Sequence, residues 1–165
     1  MAKIIPNEKS WVGFTTASLT GVGPTLAITA AQVAACTQIT GALISINASA
    51  TGNTVPTPTL DTLFESSLAG TVSASFSMDL YYDDASNVIW DLFDRGDAGY
   101  VVISRFGGTG GVPIPHYPIS TQKCEVWPIT VTARTPGPLT SNTAQTYTVT
   151  CAVTKEPNEW CTVSA

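Results

Sequence analysis

The sequence predicts a mainly β domain, a sandwich or open barrel with one flanking α-helix. Three observations carry that expectation. The stretch "AGTVSASFSMDLYY" (69–82) alternates without a break, with Val72, Ala74, Phe76, Met78, Leu80 and Tyr82 on one side and Thr71, Ser73, Ser75, Ser77, Asp79 and Tyr81 on the other. The next segment, "DDASNVIWDLFDRGD" (83–97), changes to a helical period. Alternation then returns in "KCEVWPITVTAR" (123–134) and "QTYTVTCAVT" (145–154). A two-sided strand pattern with one amphipathic helix is the signature of a sheet covered by a helix on one face. With 165 residues the chain is long enough for one domain with a real core.

Taken in order, residues 1–24 read as an N-terminal arm, because Pro6, Gly13, Gly21, Gly23 and Pro24 interrupt any period. Trp11 and Phe14 imply that the arm docks, on its own domain or on a neighbour. The main domain spans 25–154. It begins with "PTLAITAAQVAAC", a short strand followed by one helical turn over 30–35. "GALISINASA" (41–50) reads as a half-buried strand, with Ile44, Ile46 and Ala48 opposite Ser45, Asn47 and Ser49. The Asn47-Ala48-Ser49 sequon lies inside that strand, with no secretion signal ahead of it. "TGNTVPTPTLDTLFESS" (51–67) reads as a long loop, since Pro56 and Pro58 oppose regular pairing. The strand over 69–82 spans about 40 Å at ~3.3 Å per residue, long for a small domain.

In the helix, Asp84 or Ser86 can cap the first turn. Val88, Ile89, Leu92 and Phe93 form the apolar stripe. Gly96 takes the left-handed stop after Arg95, leaving Asp91 and Asp94 on the solvent side. "GYVVISRF" (99–106) is a strand and "GGTGGVPIPHYP" (107–118) a loop. The last two strands flank "TPGPLTSN", a Pro-Gly-Pro turn. Residues 155–165 form a C-terminal tail with Trp160 exposed. The count is about six strands and one helix.

Charged residues make up 12% of the chain, about half the usual share in soluble proteins. Much of its surface is therefore expected to be covered by assembly. The net charge is -5 and the seven Lys and Arg are scattered, which opposes nucleic-acid binding by counterion release. No window holds the ~18–20 apolar residues of a membrane helix, so no membrane partner is expected. The N-terminus lacks a signal-peptide core, which points to a cytosolic origin. Cys36, Cys124, Cys151 and Cys161 have no CxxC spacing, so they read as reduced, buried small hydrophobes; in an oxidised particle, Cys151 and Cys161 could bridge.

The chain carries little recognisable chemistry. Its single histidine, His116, lies in a Pro-rich loop with no GxSxG-type motif, so no catalytic residue is assigned. "GGTGG" precedes prolines and not a helix with a Lys, and so lacks the context of a phosphate cradle. Asp79, Asp83 and Asp84 offer oxygen ligands without the Gly and Glu spacing of a calcium loop, and a helix N-terminus accounts for the aspartates. No enzyme activity, metal or cofactor is expected. The polar strand faces are instead Ser and Thr with almost no charge, a smooth surface that attracts nothing strongly.

Several pieces, in order, resemble the major tail tube proteins of long-tailed, non-contractile bacteriophages. They are Pro56-Thr57-Pro58 ahead of "LFESSLAG", the long strand ending "LYYDD", the helix "NVIWDLFDRGDAG" with its return strand "YVVISRFG", and the pair "PITVTA" and "YTVTCAV". The resemblance covers about residues 24–154. It implies a β-sandwich-like domain whose strands join an inner barrel shared between subunits. Six subunits would form a ring, and stacked rings a tube that passively conducts the genome. Partners implied are further copies of the chain, a tape measure protein, and tail tip and terminator proteins; DNA passes without specific binding. The implied location is the virion tail, assembled in the host cytoplasm.

On this reading the positions expected to line the channel are Ser45, Asn47, Ser73, Ser75, Ser77, Asp79, Thr130, Thr132, Thr146, Thr148 and Thr150. Contacts between subunits are expected from Trp11, Phe14, Val55, Leu60, Leu63, Phe64 and Trp160. A different class stays open beside it: a capsid decoration or carbohydrate-binding β-sandwich module with a groove at Trp127 or Tyr117.

Overall fold

The computed structural model describes residues 10–21, 23–57, 66–82, 88–111 and 116–165. Eight strands form one antiparallel sheet: β1 (Trp11–Thr15), β2 (Thr37–Gln38), β3 (Leu43–Thr57), β4 (Ser66–Tyr81), β5 (Ala98–Ser104), β6 (Lys123–Pro136), β7 (Thr146–Val153) and β8 (Asn158–Thr162). The order is β2-β1-β5-β6-β7-β4-β3, with β8 also on β6. Two short helices accompany them, α1 (Ala30–Ala34) and α2 (Val88–Asp91).

The sheet folds over itself through β6. The first half of β6 pairs with β5 from Glu125 to Thr130, and the second half with β7 from Ile129 to Pro136. The two halves of the sheet face each other across a core of Val12, Phe14, Val101, Ile103, Trp127 and Ile129 against Phe76, Met78, Leu80, Tyr147, Val149 and Cys151. Phe76 and Trp127 meet at 5.7 Å between ring centroids. The reverse side of β1, β5 and β6 feeds a second core, with Trp11, Val102, Cys124 and Val126 against Leu26, Ile28, Val33, Cys161 and Val163. These middle strands are buried on both faces, which is why "YVVI" and "CEVW" carry apolar residues on both sides.

Several sequence expectations change here. Within the expected N-terminal arm, Trp11–Thr15 is a strand of the sheet. Trp11 and Phe14 are buried in the cores of their own chain, so neither is available to a neighbour. Gly13 allows this, because a Cβ there would meet the Trp11 ring at 2.3 Å. The C-terminal segment is also built in, as β8 paired with β6.

The expected loop over 51–67 is, to Thr57 and from Ser66, a two-stranded ribbon that continues β3 and β4 beyond β7. Pro56 pairs in register with Ser67. It is tolerated because β3 is the edge of the sheet, where a missing N–H breaks no ladder. Leu60, Leu63 and Phe64 lie outside the described residues, as do Asp83, Asp84 and Ser86. A register shift between Leu43 and Ser45 turns Ile44 outward, against its expected inward face.

The first apolar turn comes out as expected, with Thr29 and Gln32 forming a capping box on α1. The expected helix is shorter than its pattern: α2 ends at Asp91 and turns carry the chain to Gly96, which has φ +99, while Phe93 is still buried. Val88 is exposed, however, and Trp90 takes its place against the core. Cys151 belongs to the first core and Cys161 to the second, which excludes the alternative of a bridge between them. No helix among the described residues is long and apolar enough to cross a membrane.

Candidate functional site

The outer face of β3, β4, β7 and the second half of β6 gathers the hydroxyl-bearing positions. Register places them in rows across the four strands. One row runs Ser45, Asp79, Thr148, Thr135; the next Asn47, Ser77, Thr150, Ala133; the third Ser49, Ser75, Ala152, Thr130. Ser73 continues the face along the ribbon opposite Thr51, and Thr146 sits opposite Tyr81. A side-chain period of two makes this the consequence of one register choice, since the intervening residues fill the core.

Thr132 stands apart within its group. It falls at a register shift between Val131 and Ala133, and its hydroxyl donates to the Thr150 carbonyl at 2.8 Å. Ser49 and Thr135 belong to the face although they were not among the expected lining positions. Ser49 shares the alternation of Ser45 and Asn47, whereas Thr135 is brought into its row only by that shift.

Asp79 is the one charged side chain of this face. Within the four paired segments the only other charged residue is Arg134, which turns to the opposite side. There its guanidinium stacks on Trp90 at 3.7 Å, donates to the Trp90 carbonyl at 2.5 Å and pairs with Asp94 at 2.7 Å. Asp79 accepts from Thr148 Oγ1 at 2.6 Å and from Ser45 Oγ at 2.7 Å. These hydrogen bonds, Thr148 first and Ser45 second, hold its pKa below the ordinary carboxylate value, against a smaller opposing effect of burial. Elsewhere on the face Ser49 and Ser75 hydroxyls meet at 3.0 Å. The result is a hydroxyl-rich, water-bonding surface with one negative charge; the nearest cation at its margin is Arg95, which lines an open cavity with Thr132 and Ala133.

Two edges of this sheet are open among the described residues. β3 ends the strand order, and on the side of β6 away from β7 the Gly96–Asp97 backbone bonds Val131 at 2.9 and 2.8 Å, beyond which no strand pairs there. At the start of β3 and the end of β4 lies an open groove of about 470 Å³ whose lining includes Leu43, Ile44, Tyr81, Ile103 and Arg105. Of the positions expected at subunit contacts, Val55 pairs with Leu68 on the ribbon. Trp160 is 63% exposed and meets Phe106 edge-on at 6.0 Å. His116 lies with Nδ1 2.5 Å from the Gly111 carbonyl oxygen. Among the described residues no group of three or more His, Cys, Asp or Glu could hold a metal.

A sequence model of the phage tail tube protein family matches residues 4–165. The chain belongs to that family. As a tail tube protein it is a structural component of a virion tail and assembles with copies of itself. This membership settles the choice left open by the sequence in favour of the tube over a decoration or carbohydrate-binding module.

Solved structures share the fold of this tail tube protein. A chain of the anti-feeding prophage baseplate, six-fold symmetrised, aligns with TM-score 0.59 and 15% identity over 94% of this chain and 95% of that one. A chain in the tail of the empty gene transfer agent particle, refined with C6 symmetry, gives 0.53 and 17% over 94% and 97%. One in the native gene transfer agent virion gives 0.52 and 16% over 77% and 89%. No curated protein sequence matches the chain.

Proposed function

We propose that six copies of this tail tube protein close into a ring through the two open edges, β3 of one copy pairing with the free side of β6 in the next. Such a contact is head-to-tail, the kind that generates rings, and it removes the edges that would otherwise aggregate. Each copy would contribute four strands, β3, β4, β7 and β6, to a common barrel. At ~4.8 Å spacing and ~40° tilt, six such sets give about 45–50 Å between opposing backbones. The hydroxyl face would then line the channel, and a genome would slide past without being held. The observation that carries this reading is the coincidence on one sheet of two open edges and an almost chargeless outer face. The six-fold symmetry of the prophage baseplate and the gene transfer agent tail supports the number.

Stacking has its own support. The ribbon and the 470 Å³ groove lie at opposite ends of β3 and β4, so rings stacked in one direction would bring the ribbon of one to the groove of the next. Exposed Trp160 is a further contact on this reading. The tube would enclose a tape measure protein, end on tail tip and terminator proteins, and assemble in the host cytoplasm. Its role is that of a passive conduit and not of an enzyme. Electron microscopy of the purified protein tests the proposal. Six-fold rings or filaments of uniform bore are expected, and a monomer persisting at high concentration would overturn it.

A further inference from the structure

Cys124 on β6 and Cys161 on β8 are direct register partners. Both belong to the second core and are 4% and 3% exposed. Opposed residues of an antiparallel pair hold their Cα atoms about 4.5–5.5 Å apart, inside the ~4.4–6.8 Å that a disulfide spans. The other two thiols are placed differently. Cys36 is only half-buried at the margin of this core and donates to the Gln32 carbonyl at 3.2 Å. Cys151 lies in the first core, across the middle strands.

We propose that Cys124 and Cys161 form an oxidisable pair, reduced while the chain folds and converted by peroxide to a disulfide that staples β8 to β6 in the released particle. The surroundings favour this pair. The adjacent Cys124 thiol holds the Cys161 pKa below the ordinary thiol value, which favours Cys161 as the attacking thiolate; as a thiol, Cys161 donates to the Leu26 carbonyl at 3.4 Å. A cleft of about 10 Å³ between Phe106, Lys123 and Trp160 reaches Cys124, enough for one water-sized molecule, so only a small oxidant enters.

In the first step the Cys124 thiol, which the cleft reaches, gives up its proton and its sulfur attacks one oxygen of hydrogen peroxide; the O–O bond breaks, and a sulfenic acid forms on Cys124 with release of hydroxide. The Cys161 thiolate then attacks the Cys124 sulfur. The S–O bond breaks and a second hydroxide leaves. The protons lost by the two thiols neutralise the two hydroxides, so two thiols and one peroxide give one disulfide and two waters. Virions outside the cell meet the oxidising conditions under which such bonds persist. The staple would add a covalent link to a short join, in which β8 meets β6 through three register pairs interrupted by a shift and the chain continues as backbone bonds between Val163 and residues 121–122. It goes beyond the tube reading and does not depend on ring closure.

Trypsin sites at Lys123, Arg134 and Lys155 put the four cysteines on four separate peptides. The full-length reduced protein, treated with a slight excess of hydrogen peroxide, is expected to lose two alkylatable thiols. A linked peptide joining 124–134 to 156–165 should appear, and it should persist in a Cys36→Ala, Cys151→Ala double variant. The oxidised chain should also unfold at higher urea, with the shift abolished by a thiol reductant. Four thiols surviving treatment, or a link through Cys36 or Cys151, would overturn the pair. An unchanged unfolding midpoint would overturn the staple.

Discussion

Thr148 and Asp79 face each other across β7 and β4, and the threonine hydroxyl donates to the carboxylate at 2.6 Å. With Ser45 on the other side, the aspartate is held by hydroxyls of both neighbouring strands. Hydrogen bonds to the ionised form stabilise it relative to the unfolded chain, so Asp79 titrates lower when folded.

The sign of the pH effect follows. A carboxylate with a depressed folded pKa contributes stability that is present above its unfolded pKa of about 3.9 and lost as pH falls through the folded value. Asp79→Asn should therefore be less stable than the parent at pH 7, and the difference should shrink below about pH 4. Urea unfolding of both proteins from pH 7 to pH 3 measures it. A difference independent of pH would rule out the ionised form as the source.

A positive charge on the hydroxyl face should change what the assembled wall does and not how the chain folds. Ser77 is a half-buried residue in the middle row, between Asn47 and Thr150. Ser77→Arg is expected to shift stability by no more than about 0.5 kcal/mol, as surface substitutions do. Tubes carrying it should retain duplex DNA at low salt and release it as salt rises, by counterion release. Co-sedimentation of DNA with tubes across a salt series gives the answer. Equal retention by parent and variant tubes would take the face away from the channel.

Arg134 ties α2 to β6 by stacking on Trp90, bonding its carbonyl and pairing with Asp94. Lysine keeps the charge but loses the planar stack and the fork of donors. Arg134→Lys should cost roughly 1–2 kcal/mol and Arg134→Ala about 2–3 kcal/mol, from the cation–π contact and the hydrogen bond to a charged group. Denaturant midpoints at constant m-value test both. A lysine variant as stable as the parent would show that the stack and the fork of donors contribute nothing.

The pattern of what could be read from the sequence has physical causes. The hydroxyl face was legible because strand alternation is local: from Ser73 to Asp79, and from Thr146 to Thr150, each side chain alternates as the sequence implies. Features set by distant partners were hidden. Ile44 faces outward because of a register shift against β4. Pro56 pairs because β3 happens to be an edge, a property of topology and not of the residues around it. Trp11 and Phe14 read as parts of an arm that docks on its own domain or on a neighbour, and not as a strand, because Gly13 reads as a breaker, whereas here it makes room for the Trp11 ring. The pairing of Cys124 with Cys161, 37 positions along the chain, likewise needs the β6–β8 register to be seen.

β6 belongs to both halves of the folded sheet, and this has a mechanical consequence. Its first half is clamped by β5 and β8, its second by β7. A load applied to the outer sheet therefore passes into the middle layer along a continuous covalent backbone. It meets the β5 and β7 ladders in shear, where many hydrogen bonds share it at once, instead of peeling two layers apart at their side-chain contacts. In a hollow filament under internal pressure or bending, that single strand would act as the tendon between wall and outer shell.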